Sequence, residues 1–343
     1  MSALKILLVG LGSVGQRHAR NLRTLLGDEA ELLAHRVRRS SPLIAPDMTA
    51  DLDGDIETTY GIRAFDRLGD ALAERPELVL VTNPAHLHVP TARAAAEAGA
   101  HLFVEKPLSN GWDGVPELIE LVERRGLTCL VGYQLRFHPG FRELRRLVVE
   151  ESLGRLLGAR FAFGEHLPDW HPWEDYRESN AALADQGGGV ILAQIHDLDV
   201  ACGLFGMPRR VFAVGGKRSS LELDVEDTAG TLLDFDGLPV QLHQDIVERP
   251  PRRTYELIGE DARAVWDYHA NTLELVRADG SSELTRFEGL ERNDLFLDEL
   301  RHLLECIQGD ERPLVGIRDG ADSLAIALAA RRSLETGEAV SPQ

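Results

Sequence analysis

The sequence contains little cysteine and no long apolar run, and both absences narrow the class of protein. Its three cysteines, Cys129, Cys202 and Cys306, have neither metal-ligand spacing nor a disulfide framework, which fits a reducing compartment. The longest apolar runs, such as residues 6–9 and 78–81, are far too short to cross a bilayer, and the chain does not open with a signal-peptide pattern. We therefore expect a cytoplasmic protein that has no membrane partner.

Positive charge is in the minority. Lys and Arg total 37 against 56 Asp and Glu, which gives a formal net charge of -19 at pH 7. Such a chain would repel phosphate groups, so nucleic acid and anionic membrane surfaces are not expected partners.

Lysine is scarcer still, because only Lys5, Lys106 and Lys217 occur among these cations. Lys106 stands in a Glu-Lys-Pro run that follows the largely apolar residues 100–104. An amine can shift its pKa and pass a proton, whereas a guanidinium effectively cannot. A lysine at the end of an apolar strand therefore suggests a chemical role.

The pattern of apolar residues predicts an α/β protein with two kinds of sheet, and 343 residues suffice for two domains. Short β-rich runs alternate with helical segments in the first third, which indicates βαβ units and a parallel sheet. These strands are predicted at residues 4–9, 31–35, 78–82, 100–104 and 128–132, with a helix at 14–26. Beyond Phe137 the pattern favours antiparallel strands, including residues 160–163, 231–235, 240–243, 273–276 and 283–287. The tail predicts helices at 295–307 and 321–334.

The first predicted strand leads into a glycine loop with the spacing GxGxxG. Gly10 would allow the tight turn, Gly12 would let the backbone approach a pyrophosphate, and Gly15 would let the helix pack closely on the strand. Ser13 and Val14 would begin that helix, whose free N–H groups and dipole favour an anion. The position between a strand and a helix favours a dinucleotide site over a merely structural glycine turn.

The residues that discriminate between the two nicotinamide dinucleotides should lie near the end of the second strand. Residues 34–41 contain Arg36 and Arg38 but no acid. An acid there would favour NAD and an arginine would accommodate the phosphate of NADP, so NADP is slightly favoured over NAD. Alternatively, these arginines form a solvated or subunit-contact surface while backbone groups hold NAD.

Four segments together resemble a known family. They are the glycine loop, the TNPAHLH run of residues 82–88, the EKP run of residues 105–107, and the GGG run of residues 187–189 that leads to His196 and Asp199. The chain is similar to the Gfo/Idh/MocA family of nicotinamide-dependent sugar and polyol oxidoreductases. The resemblance implies an N-terminal dinucleotide-binding Rossmann domain, here residues 1–133. It also implies a C-terminal α+β domain with an open, mainly antiparallel sheet for substrate binding and oligomerisation, here residues 134–343, whose C-terminal helix can pack back on the first domain.

The resemblance also implies several site residues. Lys106 corresponds to the family's active-site lysine and His196 to its catalytic histidine, which agrees with the need for a base when an alcohol is oxidised. The alternative for Lys106 is a structural salt bridge with Glu105. The other candidate cofactor-binding residues are Asn83, Pro84, His88 and Glu105.

His196 lies in a predicted helix over residues 190–199, where Asp199 shares its face. Asp199 is therefore a third candidate catalytic residue, since a hydrogen bond to one ring nitrogen decides what the other can do. Many relatives carry an aspartate shortly upstream of this histidine, where this chain has Leu192 or Ala193. Whether Asp199 replaces that acid stays open.

Residues 165–177 are too polar and proline-broken for a core strand, and they carry the candidate substrate-binding residues Asp169, Trp170, Trp173 and Tyr176. Aromatic faces stack on sugar CH surfaces while carboxylates bond hydroxyls. The alternative is a subunit-interface loop. Tyr133 and Arg136 resemble a family segment that lines the same cleft, or else form a rigid hinge. His196 is also expected to touch substrate.

These patterns predict an oxidoreductase that transfers a hydride between NAD(P) and a CH–OH or ketone of a sugar, aminosugar, sugar nucleotide or cyclitol. The histidines show no metal-ligand pattern, so we expect no metal. The expected partners are a small carbohydrate substrate and further copies of the chain in a homodimer or homotetramer. The alternative is a non-catalytic regulator of the same fold that senses a dinucleotide.

Overall fold

The computed structural model describes residues 3–37, 41–309 and 311–342. The chain divides into two compact units. The first contains the chain up to Gly132 together with Asn293–Ala321, and the second contains Tyr133–Arg292 together with the chain from Asp322 onwards.

The described residues contain sixteen strands and ten α-helices. The strands are β1 (Leu4–Val9), β2 (Ala30–His35), β3 (Leu43–Ile44), β4 (Ala50–Asp51), β5 (Ile62–Phe65), β6 (Leu78–Val81), β7 (His101–Glu105), β8 (Cys129–Gly132), β9 (Leu156–Gly164), β10 (Arg210–Gly216), β11 (Thr228–Phe235), β12 (Leu238–Asp245), β13 (Arg252–Gly259), β14 (Ala262–Asp267), β15 (Thr272–Arg277) and β16 (Ser282–Arg286). The α-helices are α1 (Ser13–Leu26), α2 (Ile56–Tyr60), α3 (Leu68–Ala73), α4 (His88–Glu97), α5 (Val115–Arg124), α6 (Pro139–Val149), α7 (Val190–Ala193), α8 (His196–Phe205), α9 (Arg292–Gln308) and α10 (Ile317–Thr336).

The first unit is built on a parallel sheet. Its strand order is β5-β2-β1-β6-β7-β8, and every pair of neighbours in it is parallel. All four residues of β6 are buried, as expected of a strand covered on both faces. From β1, the chain first adds strands β2 and β5 on one side of the sheet and then adds β6, β7 and β8 on the other side. This change of side at β1 is the arrangement of a Rossmann-like domain. This confirms the predicted fold of the N-terminal part.

The second unit is built on an open sheet of eight strands in the order β10-β11-β12-β9-β13-β14-β15-β16. Only β12 and β9 are parallel; the other pairs are antiparallel. Burial alternates along β11, so one face of the sheet covers the core and the other is open. The mainly antiparallel C-terminal domain that was predicted is therefore confirmed, including the hairpin of β15 and β16.

The prediction of one helix over residues 190–199 is wrong. The structure has two helices, α7 and α8, and the segments 184–193 and 196–205 are bent by 53°. The bend frees the carbonyl oxygen of Gln194, which accepts a hydrogen bond from the Gln244 side chain at 2.6 Å. No single helix of the described residues is long and apolar enough to span a membrane, although these two bent segments pass that test when taken together.

Candidate active site

The three glycines of the loop after β1 have different surroundings. Gly10 has φ +99°, and a Cβ there would lie 2.9 Å from the backbone nitrogen of Asn83. A Cβ on Gly15 would collide with the carbonyl oxygen of Gly10, so the glycine lets α1 pack closely on the strand. A Cβ on Gly12 would meet no described atom within 4 Å. The open side of Gly12 is therefore where an anion can approach the backbone.

The first turn of α1 is prepared for an anionic ligand. Gly12 is its N-cap, and no side chain caps the N–H groups of the turn that Ser13 and Val14 begin. That turn also contains no acidic residue. Unsatisfied N–H groups and the helix dipole together favour a phosphate at such a terminus, so the loop fits a dinucleotide pyrophosphate.

The end of β6 lies directly beside this loop. The hydroxyl of Thr82 donates to the carbonyl oxygen of Gly10 at 2.7 Å. Asn83 is held by a hydrogen bond from its Nδ2 to Thr91 Oγ1 at 2.9 Å, and Pro84 begins the short turn before α4. The structure thus brings together the predicted cofactor residues of the glycine loop after β1 and those of the segment after β6.

His88 connects two loops of the first unit. Its Nε2 lies 2.7 Å from the carbonyl oxygen of Asn83 and its Nδ1 lies 2.7 Å from that of Pro107. The imidazole is buried, and burial lowers the pKa of His88 despite these two carbonyl contacts. Both ring nitrogens of His88 therefore contact the loops that follow β6 and β7. His88 holds these two loops together from inside the protein.

A buried histidine on α1 contacts the acid that precedes Lys106. The Nε2 of His18 lies 2.8 Å from Glu105 Oε1, and the His18 side chain is fully buried. The Nδ1 of His18 has no hydrogen-bond partner among the described residues, so Nε2 is the ring nitrogen that makes the contact with Glu105. Nothing in the sequence spacing indicated His18, which lies 87 residues from Glu105.

Glu105 in turn supports Lys106. Its Oε2 accepts a hydrogen bond from the Lys106 backbone N–H at 3.2 Å. Burial alone would raise the pKa of Glu105, but the hydrogen bond and charge of His18 and the charge of Lys106 lower it overall. An ionised carboxylate therefore lies beside the lysine.

Lys106 is half-buried and follows β7 directly. Because β1, β6 and β7 are neighbours in a parallel sheet, Lys106, Asn83 and the glycine loop lie at the same edge. That edge, outside the carboxyl ends of the strands, is where open α/β sheets bind ligands.

Arg36 follows β2 and lies on the same edge. The Gly10 N–H donates to the carbonyl oxygen of His35 at 3.1 Å, so the end of β2 adjoins the glycine loop. The Arg36 guanidinium is buried, and its Nη1 lies 3.1 Å from Glu57 Oε1. Arg38, the other predicted phosphate-binding residue, lies outside the described residues.

His196, in the second unit, begins α8 and is buried against Tyr133. The two rings meet edge to face, with 5.8 Å between their centroids and 86° between their planes. Burial and the nearby negative charge of Asp199 raise the pKa of Tyr133 well above its usual value. Tyr133 is therefore a neutral phenol at physiological pH.

Arg136 and Asp199 form a buried ion pair. Arg136 Nε and Nη2 donate to the two carboxylate oxygens of Asp199 at 2.7 and 3.0 Å, and the Ser323 hydroxyl donates to Oδ1 at 3.0 Å. A Cβ at Gly203 would collide with the guanidinium, so this helical glycine makes room for it. The structure thus pairs two residues for which the sequence suggested separate roles.

A second buried network holds the first turn of α8 to the sheet. Asp197 is fully buried and accepts hydrogen bonds from the Tyr255 hydroxyl at 2.7 Å and from Gln244 Nε2 at 3.1 Å. Arg253 Nε lies 3.5 Å from the same carboxylate. His196 therefore stands next to one anchored acid and three residues before another. The partners of Asp197 come from β12 and β13, and no sequence motif indicates them.

The loop over residues 165–177 is tied to its own unit. Asp169 forms a two-pronged ion pair with Arg249, with distances of 2.9 and 3.0 Å, and these bonds lower the pKa of Asp169. The Tyr176 hydroxyl accepts a hydrogen bond from the Glu222 N–H at 3.0 Å. Trp170 and Trp173 are half-buried. The structure does not bring this loop's polar groups to His196 through any contact described here, so their role toward substrate stays a prediction.

One group among the described residues has the composition of a metal site, namely His302, Glu305 and Glu311, whose ligand atoms lie within 4.8 Å of one another. His302 Nε2 accepts a hydrogen bond from the Leu314 N–H at 2.9 Å, and its Nδ1 lies 3.1 Å from Glu311. Both ring nitrogens of His302 are therefore engaged in contacts within the protein.

Comparison with known proteins agrees with this geometry. Residues 4–133 match the model of an oxidoreductase family with an NAD-binding Rossmann fold, and residues 141–265 match the GFO/IDH/MocA C-terminal domain. The chain belongs to the Gfo/Idh/MocA oxidoreductase family.

Its relatives act on sugars and cyclitols. Myo-inositol 2-dehydrogenase of Thermotoga maritima is 28% identical over 355 residues, which cover 98% of this chain and 98% of the relative. D-xylose 1-dehydrogenase (NADP(+)) 2 of Haloferax volcanii is 25% identical and covers 91% of each chain. A levoglucosan dehydrogenase solved in complex with NADH has the same fold, with a TM-score of 0.85, 18% identity and full coverage of both chains.

Proposed function

We propose that the protein is an NAD(P)-dependent oxidoreductase that transfers a hydride between the nicotinamide and a CH–OH or ketone of a sugar, aminosugar, sugar nucleotide or cyclitol. The observation that carries this proposal is Lys106 at the carboxyl edge of the parallel sheet, beside a glycine loop that fits a pyrophosphate. Family membership and the activities of the relatives support it.

The backbone of Gly10, Gly12 and Gly15, with the first turn of α1, would hold the dinucleotide. When bound, the dinucleotide supplies the nicotinamide carbon that accepts or gives the hydride. Within the first unit, the ammonium of Lys106 would donate a hydrogen bond to the substrate oxygen and stabilise negative charge on it. Glu105 and His18 are positioning residues, because they hold the backbone and the charge next to this lysine.

Within the second unit, His196 is the proposed proton carrier. Removal of a hydroxyl proton as hydride leaves carbon needs a base with a suitable pKa, and histidine is the commonest choice. Tyr133 packs against the ring, and the Arg136–Asp199 pair fixes the helix that carries it. Leu192 is fully buried and supplies no acid, so we propose a positioning role for Asp199 in place of proton transfer.

The choice between NAD and NADP rests on few residues. The prediction that NADP is slightly favoured depends on Arg36 and Arg38 and stays a prediction. Titration of both dinucleotides into the wild-type protein and into Arg36→Ala tests it. Tighter binding of NADP that weakens in the variant supports the prediction, and a preference for NAD that survives in the variant contradicts it.

The remaining expectations concern assembly. The open face of the second unit's sheet exposes Phe212, Val214 and Leu232, which supports a homodimer or homotetramer built through that face. The cytoplasmic location stays a prediction.

A turnover screen tests the proposed function. Neutral sugars, aminosugars, uronic acids, sugar nucleotides and cyclitols are each offered with both dinucleotides in both redox states, and the nicotinamide absorbance is followed. The proposal predicts turnover with at least one neutral sugar or cyclitol. Tight dinucleotide binding without turnover across all classes would instead indicate a regulator that senses the dinucleotide.

A further inference from the structure

Arg36 follows β2 directly, and the end of this strand is where the fold recognises the adenosine ribose of a dinucleotide. Two main-chain hydrogen bonds hold the backbone at Arg36. The His35 carbonyl oxygen accepts from the Gly10 N–H at 3.1 Å, and the Arg36 N–H donates to the Phe65 carbonyl oxygen at 3.2 Å. The Arg36 side chain is only 6% exposed. A buried guanidinium is costly unless it is paired.

The partner comes from a different part of the chain. Glu57 in α2 places its Oε1 3.1 Å from Arg36 Nη1, and the Glu57 side chain is 28% exposed. Asp55, the N-cap of α2, accepts a hydrogen bond from the Thr58 N–H. The Thr58 bonds and, to a smaller extent, the charge of Arg36 lower the pKa of Asp55. A carboxylate from the first turn of α2 thus contacts the arginine.

This pairing changes what Arg36 offers to a ligand. A phosphate group carries about -1.5 to -2 charges near neutral pH, so it would have to displace Glu57 from Arg36 or lie beside a like charge. A ribose hydroxyl can bind without displacing Glu57, because a hydroxyl can donate a hydrogen bond to a carboxylate. The acid that residues 34–41 lack is therefore supplied near the same place by Glu57.

We infer that Glu57 is a specificity-determining residue that competes with the 2′-phosphate of NADP for Arg36 and so weakens NADP binding relative to NAD. The inference rests on the proposed function, since it assumes a dinucleotide at the glycine loop. It concerns the ratio of the two affinities and holds whichever dinucleotide binds more tightly to the wild-type protein.

The test is a set of binding titrations with NAD and NADP on the full chain. Glu57→Gln should bind NADP about tenfold more tightly while its NAD affinity changes by no more than about twofold, the size expected for removal of one competing charge. In the Arg36→Ala background, Glu57→Gln should change the ratio much less. Glu74→Gln is the matched control: Glu74 contacts Lys5 and Arg63 in the same unit, and its loss should leave both affinities unchanged.

Three results would overturn the inference: equal changes for both dinucleotides, no change for either, or an effect of the same size in the Arg36→Ala background. Glu57→Asp guards against misfolding, because it keeps the charge at a shorter reach and should shift the ratio in the same direction by a smaller factor. If the wild-type protein binds neither dinucleotide, the proposed function itself fails. A changed ratio without turnover would leave the inference intact.

Discussion

The cofactor side of the first unit and the surroundings of His196 in the second unit are built in different ways. The first depends on the main chain. Gly10 and Gly15 leave room for neighbouring backbone atoms, Gly12 leaves its own backbone open to a ligand, and the end of β2 is bonded to the loop through the main chain. The second depends on side chains, since Arg136 reaches Asp199 across 63 residues and Tyr255 reaches Asp197 across 58.

Because of this difference, the two regions should respond to different kinds of substitution. A main-chain site is damaged by an added Cβ, which fills the space that a ligand or a neighbouring backbone needs. A buried side-chain network is damaged by removal of one partner, which leaves a charge or a polar group without compensation. Substitutions in the two regions should therefore differ in whether they reduce ligand binding, turnover or stability.

Lys106→Ala should lower turnover by about 10³-fold, within the range of 10² to 10⁴ expected for a lost proton-transfer or oxygen-stabilising group. Dinucleotide affinity should stay close to wild type, because the glycine loop holds the phosphates. Steady-state kinetics and a binding titration check both parts. Lys5→Ala is the matched control, since Lys5 bonds Glu74. Comparable turnover in Lys106→Ala would exclude the proposed role.

Arg136→Met should lower the free energy of unfolding by about 3 to 5 kcal/mol, because it leaves the carboxylate of Asp199 buried and uncompensated. Arg249→Met removes an exposed partner of Asp169 and should cost less than about 1 kcal/mol. Denaturant unfolding of both variants measures the contrast. Similar losses in the two variants would contradict the account of the buried network.

His196→Asn should reduce turnover about 100-fold if the imidazole transfers the proton. Its dinucleotide affinity and its unfolding free energy should change little, because Asp197 and Asp199 still anchor α8. His171→Asn, on an exposed loop with Glu174 as partner, serves as the control. A change in turnover of less than a few-fold would make His196 a structural residue.

Acid should weaken the second unit through His138. Its Nδ1 accepts a hydrogen bond from the Gly140 N–H at 2.9 Å and so caps α6, and burial lowers the pKa of His138 from 6.5 to about 4. Above pH 6.5 both folded and unfolded forms are neutral; as the pH falls below 6.5, the unfolded form gains the proton first and stability is lost.

At pH 5 this loss should amount to about 2 kcal/mol for the single group. His138→Asn keeps a capping acceptor without a titrating ring, so it should remove that part of the pH dependence. Unfolding free energies of both proteins at pH 5 and pH 7 measure the difference, and parallel losses in the two proteins would argue against the role of His138.

Gly12→Ala should weaken dinucleotide binding about tenfold while the unfolding free energy changes by less than about 1 kcal/mol. The reason is that the added Cβ meets no described atom of the protein but occupies the approach to the backbone. Gly15→Ala should instead lower stability, because its Cβ collides with Gly10. The reverse pattern would contradict the assignment of the loop's open side.

The same difference explains what could be predicted from the sequence. The main chain at a tight turn or in a buried strand tolerates only certain residue types, so the glycine loop, the lysine after β7 and five of the six strands of the parallel sheet can be predicted from the sequence alone. The sixth strand, β5, was not predicted. Side-chain partners across the fold do not. His18 and Glu57 are ordinary residues of helices, and their partners lie 87 and 21 residues away.

Strand β13 shows the same limit within the fold. Arg253 occupies a buried position of this strand, where its Nη2 donates to Gln194 Oε1 at 2.6 Å. Alternation of apolar residues does not identify a strand whose inward position holds an arginine. The break between α7 and α8 is hidden for a related reason, because the Gln194 carbonyl at the break is bonded by the side chain of the distant Gln244.

Transfer of a deuterium label from substrate to cofactor shows whether the protein transfers a hydride. The best substrate of the turnover screen is prepared with deuterium on the carbon that is oxidised, and the reduced dinucleotide is then analysed by mass spectrometry. Hydride transfer predicts one deuterium in the nicotinamide ring in the wild-type protein and none in Lys106→Ala over the same time. Deuterium that appears in water, with none in the dinucleotide, would contradict the account.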